Sequence, residues 1–136
     1  MKPPASHIDL LEQPLYAHLA TVRPDGAPQS SPMWFDWDGE HIRMTHSNKR
    51  QKFRNLERDP RIALSIVDPE DPLRSIEVRG VVTISDDDAE ASFYQTLQHR
   101  YGRVYPIDDA DVRIILSIEP TKYILVEGGS IVGVVS

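Results

Sequence analysis

The sequence predicts a mainly β fold: six or seven strands in mostly antiparallel order, with three helices, closed as a barrel or a sandwich. Three observations carry that prediction. Segments with alternating apolar residues follow one another through tight turns, which imposes antiparallel pairing. Only three stretches read as helices, too few to cover a broad sheet, so the sheet must curl on itself. Eleven prolines stand beside seven glycines, a composition of turns rather than of long helices.

Taken in order, Ser6 caps a short helix over residues 7–11 that stops before Pro14. Residues 15–22 read as a strand with Leu15, Ala17, Leu19 and Thr21 on one side. Arg23-Pro24-Asp25-Gly26 is a β-turn signal. Residues 27–37 read as a second strand, which Pro28 and Pro32 confine to an edge or a bulged path. Asp38-Gly39 turns the chain into a strand at 40–45, with Ile42 and Met44 on one face. A helix over 48–58 has Ser47 as its cap and Phe53 and Leu56 as its inner face, and Asp59-Pro60 ends it. Strands follow at 61–68, with Ile62, Leu64 and Ile66 on one face, and at 73–85, with Ile76, Val78, Gly80, Val82 and Ile84 inward. The longest helix spans 86–101, opened by acidic residues and closed by Gly102. Strands at 112–118 and 123–126 and a returning segment at 131–135 complete the chain.

At 136 residues the chain is expected to be one domain, 1–136, with 40% hydrophobic and 26% charged residues. It has no cysteine, which excludes disulfides, thiolate metal sites, iron–sulfur clusters and cysteine nucleophiles and suits a reducing cytoplasm. The net charge of −6 makes it a poor general binder of nucleic acid, so an anion site has to be a local basic patch. The first fourteen residues are polar, unlike a signal peptide, and no apolar run approaches the roughly 20 residues that span a bilayer. The expectation is a cytoplasmic protein with neither a nucleic-acid nor a membrane partner.

The most informative segment runs over 45–56. Lys49, Arg50, Lys52 and Arg54 fall within six positions of an acidic chain, at a strand-to-helix junction. A helix start presents free N–H groups and the positive end of its dipole, so basic side chains there make a phosphate or carboxylate site. The plainer alternative is a solvated basic face paired with Glu57 and Asp59. Cations at a helix start are locally unfavourable unless an anion answers them, which tilts the balance to the site. In the second segment, Gln29, Ser30, Ser31, Pro32, Met33 and Trp34, two serines and a proline interrupt an apolar strand. Backbone groups beside such a gap can contact a flat ring, and an ordinary edge strand is the alternative. Trp34 and Trp37, an odd number apart, face opposite ways. His41 and His46 diverge, and His7, His18 and His99 lie on separate elements, so no metal site is expected. Asp86-Asp87-Asp88 reads as a helix opening. Arg74 and Arg79 fall on opposite faces of the long strand, where one joins the anion site or both are plain surface. No nucleophile elbow, P-loop or Rossmann turn occurs.

Three runs carry a resemblance: residues 19–35 (LATVRPDGAPQSSPMWF), 52–65 (KFRNLERDPRIALS) and 78–82 (VRGVV). Together they resemble the pyridoxamine-phosphate-oxidase-like split β-barrels, in particular their coenzyme F420-dependent (deazaflavin) reductase branch, over residues 11–123. The resemblance implies a homodimer of split barrels with two cofactor sites at the subunit interface. It implies that Gln29, Ser30, Ser31, Pro32, Met33 and Trp34 flank the cofactor ring and that Thr45, Arg50 and Lys52, with Lys49, hold its phosphate side. Arg79 and residues 101–105 are candidates to reach the site of the second subunit. The flavin-mononucleotide (FMN) oxidases of the family offer an arginine and a lysine where this chain has Gln29 and Trp34, which favours coenzyme F420 over FMN.

The function so implied is an oxidoreductase that uses reduced coenzyme F420 to transfer a hydride to an unsaturated small molecule. The cofactor carries the hydride chemistry, so the chain need not supply an acid–base dyad, and no catalytic residue is assigned. The alternatives are an FMN-dependent oxidase or reductase of the same fold, a non-catalytic carrier of a flavin, a deazaflavin or haem, and an interaction domain.

Overall fold

A computed structural model describes residues 1–85, 88 and 90–136. Helix α1 (Asp9–Glu12) precedes β1 (Ala17–Val22), β2 (Pro28–Met33), β3 (Asp36–Trp37) and β4 (Ile42–Ser47). Helix α2 (Gln51–Arg58) leads into β5 (Arg61–Asp68) and β6 (Asp71–Ser85), and helix α3 (Ser92–Arg100) into β7 (Arg113–Glu127) and β8 (Ser130–Val135). All pairings are antiparallel, in the order β2-β1-β5-β6-β7-β4-β3, with β8 added to β7. The eight strands curl into a split barrel.

Alternation does what the sequence implies. Ala17, Leu19 and Thr21 of β1, Ile62, Leu64 and Ile66 of β5, and Ile76, Val78 and Val82 of β6 are buried on one inner face with Ile42, Met44, Leu116 and Ile118. Burying side chains of this size contributes about 1.5–3 kcal/mol each before chain entropy is set against it. Gly80 is required where it is. A Cβ there would collide with the carbonyl oxygen of Glu119, because the β6–β7 register shifts between Arg79 and Gly80.

Beyond shifts of one to three residues at the ends of α1, β1, β4, β6 and β8, four differences from the sequence expectation have a physical reason. The two strands expected at 112–118 and 123–126 are one, because Pro120 stands opposite Gly80 beside the register shift, where the ladder is already interrupted. The strand expected over 27–37 is two, because the polar groups of Phe35 are taken by side chains. Its N–H donates to the Tyr101 hydroxyl (3.0 Å), and its carbonyl accepts from Arg100 Nε (2.9 Å). Helix α2 begins at Gln51, with Arg50 rather than Ser47 at its N-cap; the Ser47 hydroxyl instead accepts the Lys49 N–H (3.2 Å). Helix α3 begins at Ser92, and the Asp88 carboxylate accepts the Phe93 N–H (2.8 Å). Asp86 and Asp87 of the acidic run lie outside the described residues. Arg74 serves the fold and not the anion site: it binds Asp9, Asp68 and the Ser6 carbonyl, clamping α1 to the β5–β6 turn.

Candidate functional site

The inner face of α2 is unusual in what it buries. Beside Leu56 it turns Lys52 and Asn55 inward. Asn55 is fully buried and saturated: its amide donates to Thr21 Oγ1 (3.0 Å) and Gln29 Oε1 (2.9 Å), and its oxygen accepts from Gln51 Nε2 (2.9 Å). These bonds dock the helix on β1 and β2 and fix Gln29 with its carbonyl oxygen occupied. Buried hydrogen bonds of this kind are worth about 1 kcal/mol each, and more to lose than to make.

A cleft of about 290 Å³ opens beside this helix, lined by Gln29, Ser31, His46, Arg50, Gln51 and Lys52. Lys52 is only 8% exposed, and the neighbour of its ammonium is the Met33 thioether, 3.1 Å away. Burial, then the charge of Arg50, lower its pKa from the usual lysine value. Among the described residues, none of Lys49, Arg50, Lys52 and Arg54 makes an ion pair. The arginines that do are Arg43, Arg61, Arg74, Arg79 and Arg113. Asp59, offered above as a partner for the basic face, is held by Arg61 at 2.6 Å. Lys49, Arg50 and Arg54 are exposed, as on a solvated face, and Lys52 alone of the four is buried. Ser31 Oγ, buried and without a hydrogen-bond partner among the described residues, belongs to a residue lining the same space.

A second cleft, of about 270 Å³, adjoins the first. Pro32, Met33 and Trp34 form one wall and Thr45 and His46 another, and Tyr16, Tyr94, Tyr105 and Arg113 complete it. Its aromatic wall is stacked. Trp34 stacks on Tyr101, with centroids 4.8 Å apart and planes 9° from parallel, and lies 6.1 Å from Tyr105. The Tyr101 hydroxyl is held by the Leu15 carbonyl (2.5 Å) and the Phe35 N–H (3.0 Å), and burial raises its pKa. Arg113, paired with Asp109 at 3.1 Å, covers the Tyr94 ring at 3.9 Å. A flat heterocycle suits such a slot, because offset stacking and cation–π contact reward it.

His46 lines both clefts. Burial, then the charges of Lys52, Arg50 and Arg113, press its pKa down to about 4, with Asp109 opposing. The imidazole is neutral at neutral pH.

The structure gathers most of the expected residues. Gln29, Ser31, Arg50 and Lys52 line the cationic cleft, and Pro32, Met33, Trp34 and Thr45 the aromatic one. The Thr45 hydroxyl already donates to the Ile114 carbonyl (3.2 Å). Ser30 faces the opposite side of β2, in a groove of about 460 Å³ with His18, Ala63 and Ser65. Lys49 is exposed and lines neither cleft. Trp37 packs against the core. Arg79 pairs with Glu77, while Tyr101 and Tyr105 serve the cleft of their own chain. Sequence reasoning gave Tyr16, Tyr94 and Arg113 no role, weighed His46 only as a metal ligand, and expected Tyr105 to reach the site of the second subunit. His46 adjoins Thr45 and so had a local signal; the others arrive through long-range packing and had none.

Residues 4–126 match the profile of the family described as pyridoxamine 5'-phosphate oxidase. A search of curated protein sequences finds no match. Among solved structures, one called F420 Reductase is 48% identical, with a TM-score of 0.84 over 89% of this chain and 98% of its own. A conserved hypothetical protein of Mycobacterium tuberculosis is 25% identical, with a TM-score of 0.74 over 93% and 86%. A protein of Clostridium acetobutylicum related to general stress protein 26 shares the fold at 16% identity, with a TM-score of 0.74 over 96% and 92%. With a split barrel, a family match over nearly the whole length and a close relative of the same architecture, the chain belongs to the pyridoxamine 5'-phosphate oxidase family.

Proposed function

We propose that the protein is a cytoplasmic oxidoreductase that binds coenzyme F420 and reduces an unsaturated small molecule. The observation that carries this reading is a pair of cations, Arg50 and Lys52, with no ion pair among the described residues, in a cleft that shares His46 with an aromatic slot. That is the complement of a flat ring bearing an acidic tail, and the likeness to a protein called F420 Reductase points to the deazaflavin. The cofactor, when bound, supplies the hydride. Arg50 and Lys52 grip its anionic part, with Lys49 at the rim, and the buried Ser31 hydroxyl gains a partner. Trp34, Met33 and Pro32 hold the ring and exclude water from it. The chain's contribution is orientation and desolvation more than covalent chemistry.

The active unit in this reading is a homodimer with cofactor sites at the interface. Val67, Leu73, Val81, Ile131, Val132 and Val134 are exposed, and a second copy would cover such a surface. Sedimentation at micromolar concentration tests the assembly; a monomer only would refute it.

Titration of the purified chain with coenzyme F420 and with FMN tests the cofactor. Tighter binding of coenzyme F420 is expected. Tighter binding of FMN would move the protein to the flavin reading, and binding of neither would overturn the proposal. Turnover of reduced cofactor with enones and quinones separates an enzyme from a carrier.

A further inference from the structure

The reduction of a double bond needs a proton as well as a hydride, and of the proton-bearing side chains in the two clefts His46 is the one that lines both. His46 stands at the seam, lining the cationic cleft and the aromatic cleft together. No side-chain hydrogen bond ties its imidazole to the described residues, whereas Thr45 beside it is bonded to Ile114 and Asn55 across the cleft is saturated. The charged groups that act on it are Lys52 of α2, Arg50 at the N-cap of that helix, Arg113 of β7, and Asp109 before β7. The phenols of Tyr16, Tyr94 and Tyr105 complete the aromatic side.

We propose that His46 is the proton donor of this site, and that an anion settling between Arg50 and Lys52 is what charges it. The inference rests on the cofactor reading given above and adds to it the source of the proton. With the cationic cleft empty, burial and two neighbouring cations keep the imidazole neutral. An anionic oxygen in that cleft reverses both effects. It offsets the charges of Lys52 and Arg50, and it attracts the imidazolium that burial otherwise penalises. The acid is thus made only when the acidic part of the cofactor is in place. In the reduction, a hydride from the reduced deazaflavin or flavin forms one new C–H bond. The π electron pair then takes the N–H proton of His46 to form the second, and neutral imidazole remains to be reprotonated from water.

The test follows the His46 imidazole by NMR as pH is varied, on the full chain in sodium chloride and in sodium sulfate at matched ionic strength. It is then repeated with coenzyme F420 and with FMN. The expected midpoint rises from about 4 in chloride to about 6 or above with sulfate or cofactor bound, near or beyond the ordinary histidine value. Calorimetry near pH 5 in buffers of different ionisation heat then shows uptake of most of a proton per ligand, and His46→Gln abolishes that uptake. Cofactor binding with the midpoint still near 4 overturns the inference and leaves the cofactor reading standing. If neither cofactor binds, the cofactor reading fails and the sulfate arm decides the coupling: a raised midpoint supports it, an unmoved one ends it. In turnover, His46→Gln is expected to lose about 100-fold in kcat or more, together with the alkaline limb of the pH profile. Wild-type kcat with an unchanged profile would refute the role of donor.

Discussion

Replacing Lys52 by methionine separates what this residue does for the fold from what it does for a ligand. The ammonium is 8% exposed, lies against a thioether, has Arg50 as its nearest charged influence, and has no carboxylate within ion-pair distance among the described residues. A buried unpaired cation opposes folding, and methionine keeps the length of the side chain while removing the charge. The free protein is therefore expected to gain about 1 kcal/mol in urea denaturation. Ligand binding is expected to move the other way. One charge-assisted hydrogen bond is worth about 1.5–3 kcal/mol, so Kd for the anionic cofactor should rise about 10- to 150-fold by calorimetry. A salt series adds a second reading, because the variant should show a shallower dependence of affinity on ionic strength. Loss of more than about 1 kcal/mol of stability with unchanged affinity would make Lys52 a structural residue and refute the reasoning.

Three further outcomes are expected. The His46 pKa lies near 4 when folded against its ordinary 6.5, so the unfolded chain binds more protons between those values and stability falls as pH drops through them. The loss is about 2 kcal/mol by pH 4 after allowance for solvent at the ring, and His46→Gln should flatten that part of the pH–stability curve. Asn55→Leu removes three bonds and strands Thr21 and Gln29; a loss of about 2–3 kcal/mol in denaturation is expected, and less than about 0.5 kcal/mol would show that the network is dispensable. Gly80→Ala drives a methyl group into the Glu119 carbonyl, so a cost of about 1–3 kcal/mol is expected, and a neutral effect would mean that β7 yields there freely.

Much of the fold was legible because period-two alternation needs no knowledge of the partner strand. Ile62, Leu64 and Ile66 announce their face whatever they pair with, and β5 has the expected bounds. Where the sequence misled, distant residues had changed the local rule. Pro120 would end a strand, but it stands opposite Gly80 beside the register shift, where the ladder is already interrupted. Residues 34 and 35 would continue one, but Tyr101 and Arg100, some 65 positions away, claim the backbone of Phe35. The cationic half of the candidate site was visible because its charges are contiguous in the chain. The aromatic half was visible only in Pro32, Met33, Trp34 and Thr45, since Tyr16, Tyr94, Tyr105 and Arg113 come from four separate segments and meet them only after the sheet has curled.

The interruption at Phe35 reaches beyond the cleft. A sheet that ends in a straight, unspoiled ribbon invites a neighbouring molecule to add its own, and unchecked addition of that kind is how soluble proteins become fibres. Here the β2 border carries Pro28 and Pro32, neither of which has a proton to offer, and it stops where Tyr101 and Arg100 consume the next main-chain groups. The tyrosine that stacks on Trp34 therefore also guards the molecule against runaway self-templating, so its loss should show as turbidity in concentrated samples.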